Sequence, residues 1–141
     1  VTVPGHGATV VKHVPSHYPC SVGISYRLND SAWMKKLTVQ PVDIYDCQIR
    51  FDEYARQHCK GMPPISPTEH FCAGGDVGQD TCEGDSGGPL AMEDIKSSTI
   101  QKPWIQVGVV SWGVMKCGTG GMPGVNTNVR YYLKWILDKL D

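Results

Sequence analysis

The chain has 141 residues, with 13 basic and 14 acidic side chains and a formal net charge of −1. That length gives room for one domain and one core, near the size at which about 68–70% of the unfolded surface is buried. The charge balance argues against nucleic acid or an anionic membrane as a partner, and the apolar runs fall far short of the roughly 18 residues a membrane span needs.

Glycine (16) and proline (10) together make about 18% of the chain against a usual ~12%, which favours a turn-rich β architecture. Six cysteines point to an oxidising compartment and so to secretion. A zinc site would need paired Cys-x-x-Cys or Cys/His clusters at useful spacing, and there are none, so neither metal nor cofactor is expected. Asn29-Asp30-Ser31 is an acceptor triplet that makes Asn29 a candidate glycosylation site. No positively charged start followed by an apolar stretch stands at Val1, so no signal peptide is read in this chain.

Residues 1–19, with Pro4, Pro15, Pro19 and the histidines His6, His13 and His17, read as a loop-like lead-in with one short apolar piece at 8–11. In residues 20–26, Val22 and Ile24 alternate with small polar residues at the period of a strand. An exposed loop is expected over 27–36. Leu37, Val39, Val42 and Ile44 then mark a strand whose alternation slips at Pro41, implying an edge or a bulge. Asp46 stands as the N-cap of a short helix through 47–57, with Ile49, Tyr54 and Ala55 near one face.

Three prolines make 60–68 a loop, and Phe71-Cys72-Ala73 is a short apolar piece. Leu90-Ala91-Met92 opens a strand, 93–102 is a polar turn region, and 104–112 is the most strand-like run, with Ile105, Val107, Val109 and Val110. A glycine-rich loop at 117–124 leads to the end of the chain. There Val129, Tyr132, Leu133, Ile136, Leu137 and Leu140 fall at helical spacing, with Arg130, Lys134, Asp138 and Lys139 off the stripe. This is an amphipathic helix expected to dock one apolar face on the body.

The chemistry concentrates in residues 80–89, Asp-Thr-Cys-Glu-Gly-Asp-Ser-Gly-Gly-Pro. One serine, Ser86, sits among three glycines, with Asp85 directly before it and Asp80 six residues earlier. Glycines this dense let the backbone adopt conformations that side chains forbid, and let main-chain N–H groups approach whatever the serine attacks. That is the geometry of a nucleophile with an oxyanion hole. A glycine-rich turn that merely contains a serine explains the glycines but not the ordered acids, the cysteine or the closing proline.

Gly84-Asp85-Ser86-Gly87-Gly88-Pro89, with Asp80 ahead of it, resembles the trypsin/chymotrypsin family of serine proteases. Further landmarks follow in that family's order: Phe71-Cys72-Ala73-Gly74, Val109-Val110-Ser111-Trp112-Gly113, Cys117-Gly118, Pro123-Gly124-Val125, and a terminal helix with Val129, Tyr132, Trp135 and Ile136. The match runs from about Leu37 to the end, with Val3-Pro4 and Cys20 as upstream anchors. It implies an all-β fold, the C-terminal one of two antiparallel Greek-key barrels, with a short intermediate helix and a C-terminal helix. Residues 1–36 would then be the inter-barrel lead-in with the first strand and loop, and residues 37–141 the second barrel and terminal helix. The first barrel would lie outside this chain.

The resemblance also implies roles. Ser86 would be the nucleophile, and the backbone N–H groups of Gly84 and Ser86 the oxyanion hole. Asp85 would accept the new N-terminus released when a zymogen is cleaved. Asp80 would lie at the bottom of the specificity pocket and select Arg or Lys before the cleaved bond, since a carboxylate in an apolar slot is costly unless a cation joins it. Gly113 and Gly124 would leave the pocket walls open, Ser111-Trp112-Gly113 would pair with the substrate backbone, and Glu83 would stand at the mouth. Cys82 with Cys117 and Cys47 with Cys72 match family bridges. Cys20 and Cys59 stay open, paired with each other or not. Partners would be protein or peptide substrates with Arg or Lys at the cleavage site, the first barrel, and protein protease inhibitors.

Two parts of the pattern are missing. None of the five histidines, including His58 and His70, sits in the family's context for the catalytic base, and Val1-Thr2-Val3-Pro4 does not stand in for the N-terminus of an activated protease. Asn126 replaces a usual aromatic behind the pocket, and Tyr26 a usual glycine near Asp85. The leading expectation is a piece of a secreted trypsin-like endopeptidase, inactive alone because a serine hydroxyl without a base is a poor nucleophile. The alternative is a non-catalytic homologue that serves as a binding or regulatory module.

Overall fold

The computed structural model describes residues 1–5, 8–15, 24–30, 34–58, 61–82, 84–114, 117–118 and 120–140, with the backbone alone for residues 3, 5, 8–15 and 24–30. Its strands are β1 (Thr2–Gly5), β2 (Ala8–Pro15), β3 (Ile24–Asp30), β4 (Lys35–Thr38), β5 (Pro41–Val42), β6 (His70–Ala73), β7 (Pro89–Glu93), β8 (Trp104–Trp112) and β9 (Gly124–Asn128). Two helices, α1 (Ile44–His58) and α2 (Leu133–Asp138), complete the described elements. β2 and β3 pair as a separate two-stranded sheet, and Asn29 has its backbone in it. Cys20, Cys59 and Glu83 lie outside the described residues, as does the side chain of Tyr26.

The other strands form one antiparallel sheet in the order β4-β1-β7-β8-β9-β6-β5. Its two edges, β4 and β5, are successive pieces of a single extended stretch. Where the stretch passes from one edge to the other, Val1 and Val39 exchange backbone hydrogen bonds, at 3.0 and 2.8 Å, and the Gly74 N–H donates to the Gln40 carbonyl at 2.8 Å. The sheet is therefore rolled into a barrel whose edges satisfy one another. Pro41, where the alternation slips in the sequence, follows this change of partner, a bend that tolerates a residue unable to donate. β6 and β7 are consecutive in the chain but flank β8 and β9, so residues 74–88 cross over the end of the barrel in a Greek-key connection.

The core has two parts. Val39, Ala73, Leu90 and Val110 fill the barrel, while Cys47, Phe51, Ile65, Cys72 and Val125 form a second cluster where α1 covers the outer wall. Adjacent residues on β6 and β9 serve opposite faces, as the period of a strand requires.

Four local expectations change. The exposed loop expected over 27–36 instead holds the end of β3 and the start of β4, whose hydrogen bonds come from β2 and β1. The lead-in contains β1 and β2: β1 has little pattern of its own, but β4 and β7 supply its hydrogen bonds, and pairing decides strand formation more than propensity does. Helix α1 begins earlier than expected and is capped by Asp43, whose Oδ1 accepts the N–H groups of Tyr45 (3.0 Å) and Asp46 (3.1 Å). Asp46 instead sits in the first turn and pairs with Arg50 at 2.7 Å, and the buried face is Cys47 and Phe51, with Ile49 exposed. Helix α2 is shorter than its apolar stripe, because residues 129–132 form turns, and none of its own residues is fully buried. Leu133, Trp135 and Leu137 are 49%, 61% and 56% exposed.

Phe51 joins α1 to the barrel, packing edge-on against Trp112 with ring centroids 5.1 Å apart. Phe51→Ala is expected to cost about 3–5 kcal/mol in guanidinium unfolding, the usual range for deleting a buried aromatic ring.

Candidate active site

The serine turn is built from the backbone outward. The Asp85 N–H donates to the Cys82 carbonyl at 3.0 Å and the Gly88 N–H to the Asp85 carbonyl at 2.9 Å, so two tight turns meet at Asp85. Gly84 has φ +97°, which L side chains rarely adopt, and a Cβ on Gly88 would stand 2.8 Å from the Asp85 carbonyl oxygen. Two further bonds lash the turn to β8: Gly87 N–H to the Val110 carbonyl and Val110 N–H to the Gly88 carbonyl, both 2.9 Å. Ser86 is left exposed at the rim, and the N–H groups of Gly84 and Ser86 have no acceptor among the described residues. Two unengaged donors beside a hydroxyl make a place where negative charge is favoured.

The second wall is the β8–β9 connection, bonded to the serine turn through Cys82–Cys117. Between them lies a cavity of about 300 Å³ lined by Asp80, Thr81, Ser86, Ser111, Trp112, Gly113 and Gly124. A bulge in β8 sets the lining: Val110 opposes Asn126 and Trp112 opposes Val125, so Ser111 is the extra residue that re-aims Trp112. A Cβ on Gly113 would lie 3.7 Å from the Gly124 Cα, and one on Gly124 would lie 3.5 Å from Thr81 Oγ1. Larger side chains at either glycine would fill the cavity.

Support comes from behind. Phe51 backs Trp112, Cys47–Cys72 ties α1 to β6, and the Arg50 guanidinium donates to the Gly121 carbonyl at 3.2 Å. Closing sequence separations of 25 and 35 residues, the two disulfides each restrict the unfolded chain by about 3.5–4 kcal/mol in the loop-entropy account. Thr81, Phe51 and the Val110 backbone were not singled out from the sequence. Thr81 was signalled by its place beside Asp80, whereas a main-chain clamp leaves no side-chain trace.

Other candidate groups lie elsewhere. His58 stacks on Tyr54 with its Nδ1 2.9 Å from the Tyr54 carbonyl, and His70 Nδ1 accepts the Ser66 N–H at 2.9 Å. Neither lines the cavity. The Val1 nitrogen donates to the Val39 carbonyl, and Asp85 Oδ2 accepts the Cys82 N–H at 3.0 Å.

Asp80 is the electrostatic centre of the cavity. Burial pushes its carboxyl above the ordinary aspartate value of 3.8, and the nearby Asp85 charge adds to that rise, while the N–H groups of Gly118 (3.1 Å) and Thr81 hold it back. A folded-state value above the unfolded one means that the folded chain holds the proton more tightly. Stability is then lost as pH rises from 3.8 through the folded value, and stays lost at neutral pH. Asp80→Asn should therefore raise the melting temperature near neutral pH, with the gain shrinking towards zero below pH 3.8 in paired thermal melts.

A model of the trypsin family matches residues 20–136. The chain is 45% identical over 112 residues to CLIP domain-containing serine protease B4 of Anopheles gambiae, covering 78% of this chain and 27% of that protein. It is 47% identical over 115 residues to CLIP domain-containing serine protease HP8 of Bombyx mori, covering 79% of this chain and 30% of that protein. With Spaetzle-processing enzyme of Drosophila melanogaster the identity is 34% over 119 residues, covering 84% and 27%. The chain thus spans less than a third of the length of these relatives. With the crossover loop, the cavity and a family model that covers most of its residues all in agreement, this chain belongs to the trypsin family of serine proteases.

Proposed function

We propose that this chain is the second half of the catalytic domain of a secreted serine endopeptidase that cleaves after Arg or Lys. The observation that carries the reading is one cavity lined by both Asp80 and Ser86, with N–H donors at Gly84 and Ser86 that find no acceptor among the described residues. An arginine or lysine side chain entering the cavity would meet the Asp80 carboxylate and relieve the cost of burying it alone. The scissile carbonyl would then lie over Ser86. The Ser86 Oγ attacks that carbon, its proton passes to a base, and the two N–H groups stabilise the negative oxygen of the tetrahedral intermediate. The C–N bond breaks as the proton reaches the leaving amine, and water hydrolyses the acyl-serine by the same steps.

The base and its orienting carboxylate belong to a first barrel outside this chain, so the chain alone is inactive. Two apolar features support a partner of that size. A groove of about 330 Å³ runs between β8–β9 and the C-terminal segment, lined by Val109, Thr127, Val129, Tyr132, Trp135 and Ile136. Beside it stands the exposed stripe of α2. Apolar surface of this kind marks an interface. Residues 1–36 lead from the first barrel into the second. Asp85 takes the activated N-terminus, Ser111–Gly113 pair with the substrate backbone, and protein protease inhibitors enter by the same cleft. Two disulfides and the Asn29 triplet support secretion, and among the described residues no helix is long and apolar enough to cross a membrane. A relative named for processing another protein favours a protein substrate.

The test is the full-length protein on matched Arg, Lys and Phe peptide substrates. Ser86→Ala should lower kcat by about 10⁶-fold. Asp80→Asn should lower kcat/KM on Arg and Lys substrates by about 10²–10³-fold while leaving Ser86 reactive towards a small acylating reagent. A preference for Phe removes the role given to Asp80. An upstream half whose histidine is replaced makes the protein a non-catalytic binding module.

A further inference from the structure

The cavity wall that follows β8 carries Gly118, Gly120 and Gly121, with φ of +72°, +87° and +84°. Such a backbone is loose by nature, because glycine has the most conformational freedom to lose on ordering. Specific bonds hold it in place. The Gly78 N–H donates to the Gly118 carbonyl and the Gly121 N–H to the Gly75 carbonyl, both at 2.8 Å. The Gly118 N–H reaches Asp80 Oδ2 at 3.1 Å. The wall is thus laced to the segment that carries Asp80.

Arg50 meets the same wall from the other side, on α1. Its guanidinium is used as a fork: Nη2 pairs with Asp46 Oδ2 at 2.7 Å, and Nη1 donates to the Gly121 carbonyl at 3.2 Å. Asp46 stands one turn back on the same helix and so aims the guanidinium. The Gly121 peptide is held at both ends, its N–H by Gly75 and its carbonyl by Arg50. Met122 then packs against the cluster of Cys47 and Phe51, and Pro123, fully buried, lines the cavity with Gly124. An ion pair as exposed as Asp46–Arg50 adds little to stability, so its placement at the wall calls for another account.

We propose that Arg50 is a positioning residue of the substrate pocket, one that clamps the wall at Gly121 from the helix side and acts on binding without touching substrate. The inference rests on the reading that the cavity takes a basic side chain. It separates binding from reaction because the serine turn is fastened elsewhere, by two main-chain bonds to Val110 that do not involve Arg50. A wall released from Arg50 has to be ordered afresh each time a side chain enters, and that cost falls on affinity. The fork is essential to the arrangement. A lysine has a single nitrogen on a shorter stem, which cannot stand at both Nη positions.

The test is steady-state kinetics of the full-length protein and its Arg50→Met and Arg50→Lys variants on an arginine peptide. Two small probes accompany it. n-Butylguanidine, a guanidinium on a bare alkyl stem, reports on the cavity alone as a competitive inhibitor. p-Nitrophenyl acetate acylates Ser86 without filling the cavity. Both variants should raise KM and the n-butylguanidine Ki together by about fivefold, with kcat and the p-nitrophenyl acetate rate within about twofold of wild type. An unchanged KM and Ki, or a matching fall in kcat and in the p-nitrophenyl acetate rate, overturns the inference while leaving the basic pocket intact. Full rescue by lysine overturns it too, since charge without the fork would then suffice. A wild-type protein that prefers Phe and ignores n-butylguanidine overturns the pocket reading and this inference with it.

Discussion

Two backbone hydrogen bonds between the serine turn and Val110 are the constraint on which the site depends. They fasten the end of a long crossover to the middle of β8, so that the Ser86 hydroxyl stands over the strand whose next residues form the cavity wall. Because both bonds are main chain to main chain, they demand a backbone that comes close. Gly88 meets that demand, since any Cβ there would collide with the Asp85 carbonyl. The bulge at Ser111 is the matching feature on the other side. Val110 turns inward to the barrel core while Trp112 turns to Phe51 on α1, so two core clusters grip the strand on either side of the cavity.

The same arrangement explains why the site carries a cost. Asp80 lies where burial opposes its charge, and two backbone N–H groups only partly compensate. A group of this kind weakens the fold at neutral pH, and under the proposed reading it is of use only when a cation arrives, the usual tension between stability and function at a binding site. Around it the structure is correspondingly reinforced. One disulfide joins the two loops that form the cavity, another joins α1 to β6, and Arg50 reaches across to the β8–β9 connection. Rigid walls keep the open cavity from collapsing around Asp80.

Helix α2 stands apart from this pattern. Its sequence has the periodicity of a docked helix, yet half or more of Trp135 and Leu137 is exposed and an apolar groove runs alongside. Periodicity reports that an apolar face exists, and says nothing of which body covers it. The reading of a first barrel seated on this face accounts for both the stripe and its exposure.

Much of the site was legible in the sequence because its chemistry is local. Residues 80–89 put the serine, two acids and the turn glycines within one stretch, and the family resemblance of Val109-Val110-Ser111-Trp112-Gly113 pointed to the second wall. The end strands of the barrel were harder to read. β1 has four residues with little alternation and becomes a strand because β4 and β7 flank it, and the passage from β4 to β5 closes the barrel only once both edges are in place. Asp43 displaced Asp46 as the helix cap because capping depends on where the chain leaves β5, a matter of three-dimensional direction. The sequence by itself determined which groups could react, since that is a property of neighbouring residues, whereas the buried face of α1, Cys47 and Phe51 rather than Ile49, came from its docking. Tertiary structure alone decided that the connection from β6 to β7 brings the serine turn to β8, and that Asn126 is buried, because both depend on contacts between segments far apart in the chain.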